Sequence, residues 1–216
     1  MIKATYINHM GDDLTVVNSA RVSFGKQSKL ECIDMVKGKF ILSAKDKKLI
    51  QYLAKHNHKS PFNHAFATFH VKAPVFVARQ LVKHEYMPWN EISRRYVDSE
   101  PEFYVPDKYR GRSLNKKQGS AGTVTVSDNG FNEIAMTEYK YLLDLGVCPE
   151  QARMVLPQSM MTEWYWSGSL FAFAKMCGLR LKDDSQYETR LVAEQVEDVM
   201  MKLFPASWEA LRMYAE

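Results

Sequence analysis

The chain has 216 residues, 46% of them hydrophobic, so it can bury a core without disulfide help; its net charge of +4, from 29 basic and 25 acidic residues, is too small for a nucleic-acid coat protein. Cys32, Cys148 and Cys177 are odd in number and far apart, which excludes a disulfide framework and a structural zinc site and fits a reducing cytoplasm. The opening MIKATYINHMGDD lacks the apolar core of a signal peptide, and no run approaches the ~18 apolar residues of a membrane span.

IKATYINH reads as a strand, followed by Gly11 and by Asp12 or Asp13 as the cap of a helix starting at Leu14 and turning Val16, Val17 and Ala20 inward. After a lysine-rich loop, DKKLIQYLAKHNH places Leu49, Ile50 and Leu53 at helical spacing and runs out near Asn57. The polar corner HKSPFNH comes next. AFATFHVK, residues 65 to 72, alternates as a strand does and feeds PVFVARQLVKH, a helix with Pro74 at its first position and Gln80, Lys83 and His84 on one face. From Asn90 to Arg95 an extended reading puts Glu91, Ser93 and Arg95 on one side. Residues 97 to 127 read as a long irregular segment with Lys108, Arg110, Arg112, Lys116 and Lys117, either a solvated loop or a flap over substrate. Beyond Ser127 and Asp128 the chain reads as mainly helical: 131 to 144 ending at Gly146, a helix begun by Pro149 and stopped by Pro157, an aromatic-rich stretch over 160 to 177 ending near Gly178, then 184 to 203 and 206 to 215.

Residues 83 to 96, KHEYMPWNEISRRY, concentrate hydrogen-bond donors, acceptors and fixed positive charge, which suits an anionic ligand with a planar polar ring, such as a nucleotide. Arg153 and Arg180 stand in apolar company, where a guanidinium that cannot lose its charge needs an anion or a ligand. Intramolecular pairing of Arg153 with Glu150, or of Arg180 with Asp183 or Asp184, is the alternative. His58, His64 and His84 lack metal-ligand spacing, no metal site is expected, and neither a glycine-rich dinucleotide turn nor a nucleophile elbow is present. Chemistry, on this reading, rests on a bound cofactor.

RQLVKHEYMPWNEISRRY resembles the signature of the flavin-dependent thymidylate synthases, the ThyX family, in which Arg-His-Arg precedes Ser by seven residues. Here Lys83, His84 and Glu85 stand seven residues before Ser93. ARVSF (20–24), HKSPFNHAFATFHVKAPVFVARQ (58–80), FYVP (103–106), KQGS (117–120), ARMVLP (152–157) and GLRLKDDSQYE (178–188) are similar to family segments in family order. The resemblance implies an α+β, ThyX-type fold over residues 1–216 as a single domain: a central antiparallel-rich β-sheet, flanking helices and a mainly helical C-terminal half. It implies FAD as cofactor, methylenetetrahydrofolate and NADPH as co-substrates, conversion of dUMP to dTMP, and a homotetramer with shared active sites. Arg180 matches the arginine that polarises the pyrimidine. Gln80, Lys83, Glu91, Ser93, Arg94, Arg95 and Arg153 match nucleotide-binding places. Flavin-binding places fall on His58, Ser60, Lys83, His84, Glu85, Glu91, Ser169, Phe171 and Lys175.

Several of these depart from the family pattern. Lys83 and Glu85 replace arginines, Asn63 stands where Glu is common, and Ser169, Phe171 and Lys175 stand where Asn, Arg and Asn are common. Glu85 cannot donate to a pyrophosphate while ionised, so either the cofactor is seated differently or Glu85 points elsewhere, toward Lys83 or an arginine of the next subunit. The altered signature leaves two alternatives beside thymidylate synthesis. One is methylation or hydroxymethylation of another pyrimidine deoxynucleotide, such as dCMP. The other is non-catalytic binding of a nucleotide or nucleic acid through the basic loop.

Overall fold

In the computed structural model, residues 1–35, 37–114, 119–127 and 130–214 are described; Lys116 and Lys117 of the basic loop, Gln118 of KQGS, the helix-starting Asp128 and the expected helix end at 215 fall outside them. Strand β1 (Lys3–Met10) turns through Gly11, at φ +79°, into helix α1 (Asp13–Arg21). Asp12 caps that helix reciprocally: its carboxylate accepts from the Thr15 amide at 2.8 Å, and the Asp12 amide donates to Thr15 Oγ1 at 3.2 Å. Residues 25 to 43 hold a hairpin of β2 (Glu31–Asp34) and β3 (Lys39–Ile41), which the lysine-rich composition conceals. Ser43 then caps α2 (Ala44–Lys55).

Strand β4 (Phe66–Pro74) feeds α3 (Val75–Leu81). Pro74 is the residue before the helix, and α3 ends short of Lys83 and His84, which occupy the following turn. Strand β5 (Trp89–Glu91) stops at Glu91, with a turn at 94–96, so the extended reading through Arg95 fails. The segment expected to be irregular contains a second hairpin, β6 (Tyr109–Arg112) with β7 (Ser120–Val124). Helix α4 (Phe131–Asp144) ends before Gly146, which has φ +84°, and α5 (Pro149–Ala152) continues into a 3-10 turn. The stretch expected to be helical from 160 is instead β8 (Met161–Ser169), followed by α6 (Leu170–Arg180), α7 (Tyr187–Leu203) and α8 (Pro205–Met213). Its period is two: Trp164 and Trp166 are buried and Tyr165 is exposed between them.

The main sheet is antiparallel throughout, in the order β1-β4-β8-β5. One face of β4 and β8, carrying Phe69, Val71, Trp164 and Trp166, joins Leu170, Phe173, Val192, Val196 and Trp208 in the core. The Phe173 ring meets Phe69 (5.2 Å, 70°) and Trp166 (5.3 Å, 74°) edge to face, contacts of about 1 kcal/mol each beyond burial. The other face is polar, with Thr68 bonded to Ser167 (2.9 Å) and His70 beside Glu163 (3.2 Å). Chain ends are joined by buried Asp13, whose carboxylate accepts from the Ala206 and Ser207 amides at the start of α8 (2.8 and 2.9 Å).

Glycine 168 sets where the turn after α3 lies. A Cβ there would meet Met87 Cε at 2.9 Å and Phe173 at 3.3 Å, so the absent side chain lets buried Met87 pack against β8. That contact fixes residues 82 to 88 between α3 and β5.

Candidate functional site

Arg180, the last residue of α6, is the centre of the first polar cluster. Gly178 lies inside this helix rather than ending it. Half-buried, Arg180 donates from Nε to His84 Nε2 (3.1 Å) and from Nη2 to the Gln80 carbonyl (3.2 Å). Neither Asp183 nor Asp184 pairs with it, and no carboxylate does among the described residues. Burial lowers its pKa, but a guanidinium stays charged at any working pH. The site thus holds a cation with donors left over.

His84 is pushed down to about 4, first by burial and then by the charges of Arg180 and Lys175. The geometry says the same: Nε2 accepts from a guanidinium, so the ring is neutral with its proton on Nδ1. Gln80 is held at its side chain as well as its carbonyl, with Nε2 donating to Gln186 Oε1 and Oε1 accepting from Thr189 Oγ1 at 3.1 Å. Lys83 and Glu85 are exposed and form no ion pair with each other or with any other described residue, so the expected Lys83–Glu85 pairing is not made within the chain.

A second cluster gathers at the junction of β5 and β8. Glu91 accepts from Thr162 Oγ1 (2.6 Å) and Trp89 Nε1 (3.0 Å), and with Arg94 and Arg153 it lines a cleft of about 250 Å³. Arg153 is exposed, not buried, and its Nε donates to the Glu150 carbonyl (3.2 Å) rather than pairing with that carboxylate. Arg94 donates to the Ser99 carbonyl, and the Arg95 guanidinium lies 4.9 Å from the Tyr96 ring centre. Ser93 Oγ accepts from the Arg95 amide at 3.3 Å. Its hydroxyl also accepts from Arg95 Nε at 3.5 Å, and its own proton, with three guanidinium groups, suits a phosphate. Among the described residues no hydrogen bond joins this cluster to Gln80, His84 or Arg180, and none of the three lines the 250 Å³ cleft.

The remaining expected positions lie around α6 and the corner before β4. Ser169 caps α6, accepting from the Ala172 amide (3.2 Å) and donating to Asn63 Oδ1 (2.7 Å), so its hydroxyl is committed. The Lys59 ammonium sits 5.5 Å from the Phe171 ring centre. Lys175 is exposed; His58 is exposed and stacks on Tyr52 (6.0 Å, 19°), and Ser60 is exposed at the start of a 3-10 turn. Sequence reading missed Lys59, Thr189, Gln186 and Glu188 as parts of the site. Gln186 and Glu188 lie within the GLRLKDDSQYE segment, but only the fold brings them to Gln80.

A cation poised beside a neutral imidazole and an amide, with an arginine-rich cleft elsewhere on the chain, can bind a nucleotide ring and its phosphate. Comparison with known proteins agrees. Residues 5–206 match the family model described as thymidylate synthase complementing protein. The flavin-dependent thymidylate synthase of Thermosipho africanus is 36% identical over 220 residues, covering 97% of this chain and 90% of the relative. That of Thermus thermophilus is also 36% identical, over 94% of this chain and 73% of its own length. The crystal structure of a UMP/dUMP methylase, PolB from Streptomyces cacaoi, bound with 5-Br dUMP, superposes with a TM-score of 0.80 at 30% identity, covering 100% of this chain and 96% of that one. With 36% identity spread over almost the whole length and the same fold, this chain belongs to the flavin-dependent thymidylate synthase (ThyX) family.

Proposed function

We propose that the protein methylates dUMP to dTMP, with FAD as cofactor, methylenetetrahydrofolate as carbon donor and NADPH as reductant. The observation that carries this reading is Arg180: a half-buried cation with no carboxylate partner among the described residues, steadied by His84 and the Gln80 carbonyl. Its remaining N–H groups would meet the carbonyl edge of the uracil and stabilise negative charge as it develops on the ring. Because His84 is neutral, it orients the guanidinium without competing with it for an anion. Ser93, Arg94, Arg95 and Arg153 would hold the phosphate, and Gln80 would meet the polar groups of ring or sugar.

The donor set suits a flavin dinucleotide. Lys83, Lys175 and Lys59 are exposed, form no ion pairs among the described residues, and flank His84 and Phe171, so they can face a pyrophosphate as point charges where the family pattern has arginines. His58 and Ser60 would contribute from the corner before β4, while Glu85 and Ser169 have no donor to offer. When bound, FAD supplies the hydride. Purified protein should be yellow or become so with FAD, and should release tritium from 5-labelled dUMP when folate and NADPH are present. A protein that neither binds FAD nor releases tritium ends this reading.

A second reading, action on another pyrimidine nucleotide, is favoured by the altered signature, with Glu85 where the family has arginine, and by the 30% identity to a protein described as a UMP/dUMP methylase. Mass spectrometry of products from dUMP, UMP and dCMP separates the two. We read the whole chain as one cytoplasmic unit; a homotetramer with shared sites is supported by Gln80, His84 and Arg180 lying outside the cleft that Arg94 and Arg153 line. Mixing Arg180→Ala and Arg153→Ala proteins after reversible dissociation should then restore part of the activity that each lacks.

A further inference from the structure

Glu188, in the first turn of α7, is 3% exposed and accepts four side-chain hydrogen bonds. Both its oxygens accept from Arg110 Nη2 at 2.7 Å, Tyr104 Oη donates at 3.3 Å and Gln186 Nε2 at 3.2 Å. Although burial alone would raise its pKa, the Arg110 hydrogen bonds and charge hold it below the ordinary carboxylate value, and Tyr104 is pushed up to about 12 beside it. An ionised carboxylate accepts and never donates, so Gln186 must turn its NH2 toward it. The Gln186 carbonyl is thereby left facing Gln80, whose own NH2 donates to it. Gln80 Oε1 must then face the other way, where the buried Thr189 hydroxyl donates to it at 3.1 Å. One fixed charge sets the orientation of two amides in series. Gln80 keeps one N–H and one lone pair for a ligand, in positions that it cannot exchange.

We propose that Glu188 is a positioning residue for the nucleotide: by fixing Gln186, it fixes which of the Gln80 amide atoms donates and which accepts. The proposal rests on the reading above that Gln80 contacts the nucleotide. Arg110 belongs to the same device. It reaches Glu188 from β6, bonds Ser120 on β7 through Nε (2.9 Å) and lies 4.8 Å from the Tyr187 ring centre, so the second hairpin is the element that keeps Glu188 ionised. The basic loop residue that sequence reading offered to nucleic acid is occupied inside the chain.

The test is calorimetric titration of FAD-reconstituted protein with dUMP, for the parent, Glu188→Gln, Gln80→Ala and the double variant. Glu188→Gln keeps the shape but removes the acceptor-only charge, so Gln186 loses its bias and Gln80 presents a mixture of orientations. Affinity for dUMP should fall about ten-fold, the scale of one mismatched hydrogen-bonding group. Gln80→Ala should weaken binding at least as much, and adding Glu188→Gln to it should cost nothing further, a non-additivity that a mere staple would not produce. Should Glu188→Gln not fold, Gln186→Met removes the amide through which Glu188 acts while keeping its length, and must show the same loss and the same non-additivity with Gln80→Ala. Affinity within two-fold of the parent, or additive losses, overturns the proposal. If Gln80→Ala itself leaves dUMP binding unchanged, the placement of Gln80 at the nucleotide fails and the relay with it; Arg180→Ala, measured alongside, reports on the wider reading separately.

Discussion

The neutral state of His84 makes a quantitative prediction about pH. Its pKa lies at about 4 against 6.5 for a free imidazole. Over that interval the unfolded chain binds a proton here and the folded chain does not, so stability falls as pH drops through it and is level above 6.5. At 1.36 kcal/mol per pH unit, two-state binding gives about 2 kcal/mol lost between pH 7.5 and pH 5, and halving this for the part of the ring that still meets water leaves about 1 kcal/mol. Urea unfolding at the two pH values should show that loss in the parent and not in His84→Asn, and the His84 ring resonances should stay unshifted by NMR down to pH 5. Arg180→Ala removes the second cause of the shift but not the first, so the pKa should rise yet remain below 6.5. A parent ring titrating at 6.5 or higher, or an equal loss of stability in His84→Asn, would refute the geometry in which Nε2 accepts from Arg180.

Arg180→Lys keeps the charge but loses the planar fork, and turnover should fall roughly 100-fold by steady-state kinetics with the thermal midpoint little changed. Glu85→Arg replaces an exposed anion that forms no ion pair among the described residues with the cation found in the family signature; the FAD dissociation constant, followed by fluorescence, should drop about ten-fold at low salt and the gain should shrink as salt rises. Asp46→Ala strips buried Asp46 from Arg21 (2.5 Å), Ser28 and Ser43, and urea unfolding should show a loss of about 3 kcal/mol. The Asp46 pKa is lowered by these partners, so its contribution is present above 3.8 and lost as pH falls below it. Phe173→Ala empties the centre of the aromatic core and should cost about 4 kcal/mol in the same assay.

The elements read correctly from sequence are those with one strong period or a clear cap: β1, β4, α1, α2, α4, α7 and α8. Strand β8 was hidden because three successive aromatics satisfy a helical face as readily as a strand, and only burial of Trp164 and Trp166 on one side reveals the period. The hairpins β2–β3 and β6–β7 have strands of three to five residues, too short to show alternation. At the site, the residue types at 80, 84 and 180 were legible, but the contact of Arg180 with His84 spans 96 positions and depends on where α6 ends. Arg153 was misjudged because its apolar neighbours Met154 and Val155 lie in a 3-10 turn that leaves it in solvent.

Why Arg180 keeps its charge free is itself a product of the fold. Two carboxylates follow it within four residues, and a flexible loop would let either collapse onto the guanidinium. The loop is tied instead: Arg190 Nη2 donates to the carbonyls of Asp183 (3.0 Å) and Ser185 (3.2 Å), and Gly119 comes so close to the Asp184 backbone that a Cβ would lie 3.3 Å from it. Asp183 and Asp184 therefore remain exposed, away from Arg180. The carboxylate that does turn inward, Glu188, is claimed by Arg110 from the second hairpin. Asp183, Asp184 and Glu188 each have another place, and among the described residues no carboxylate neutralises Arg180.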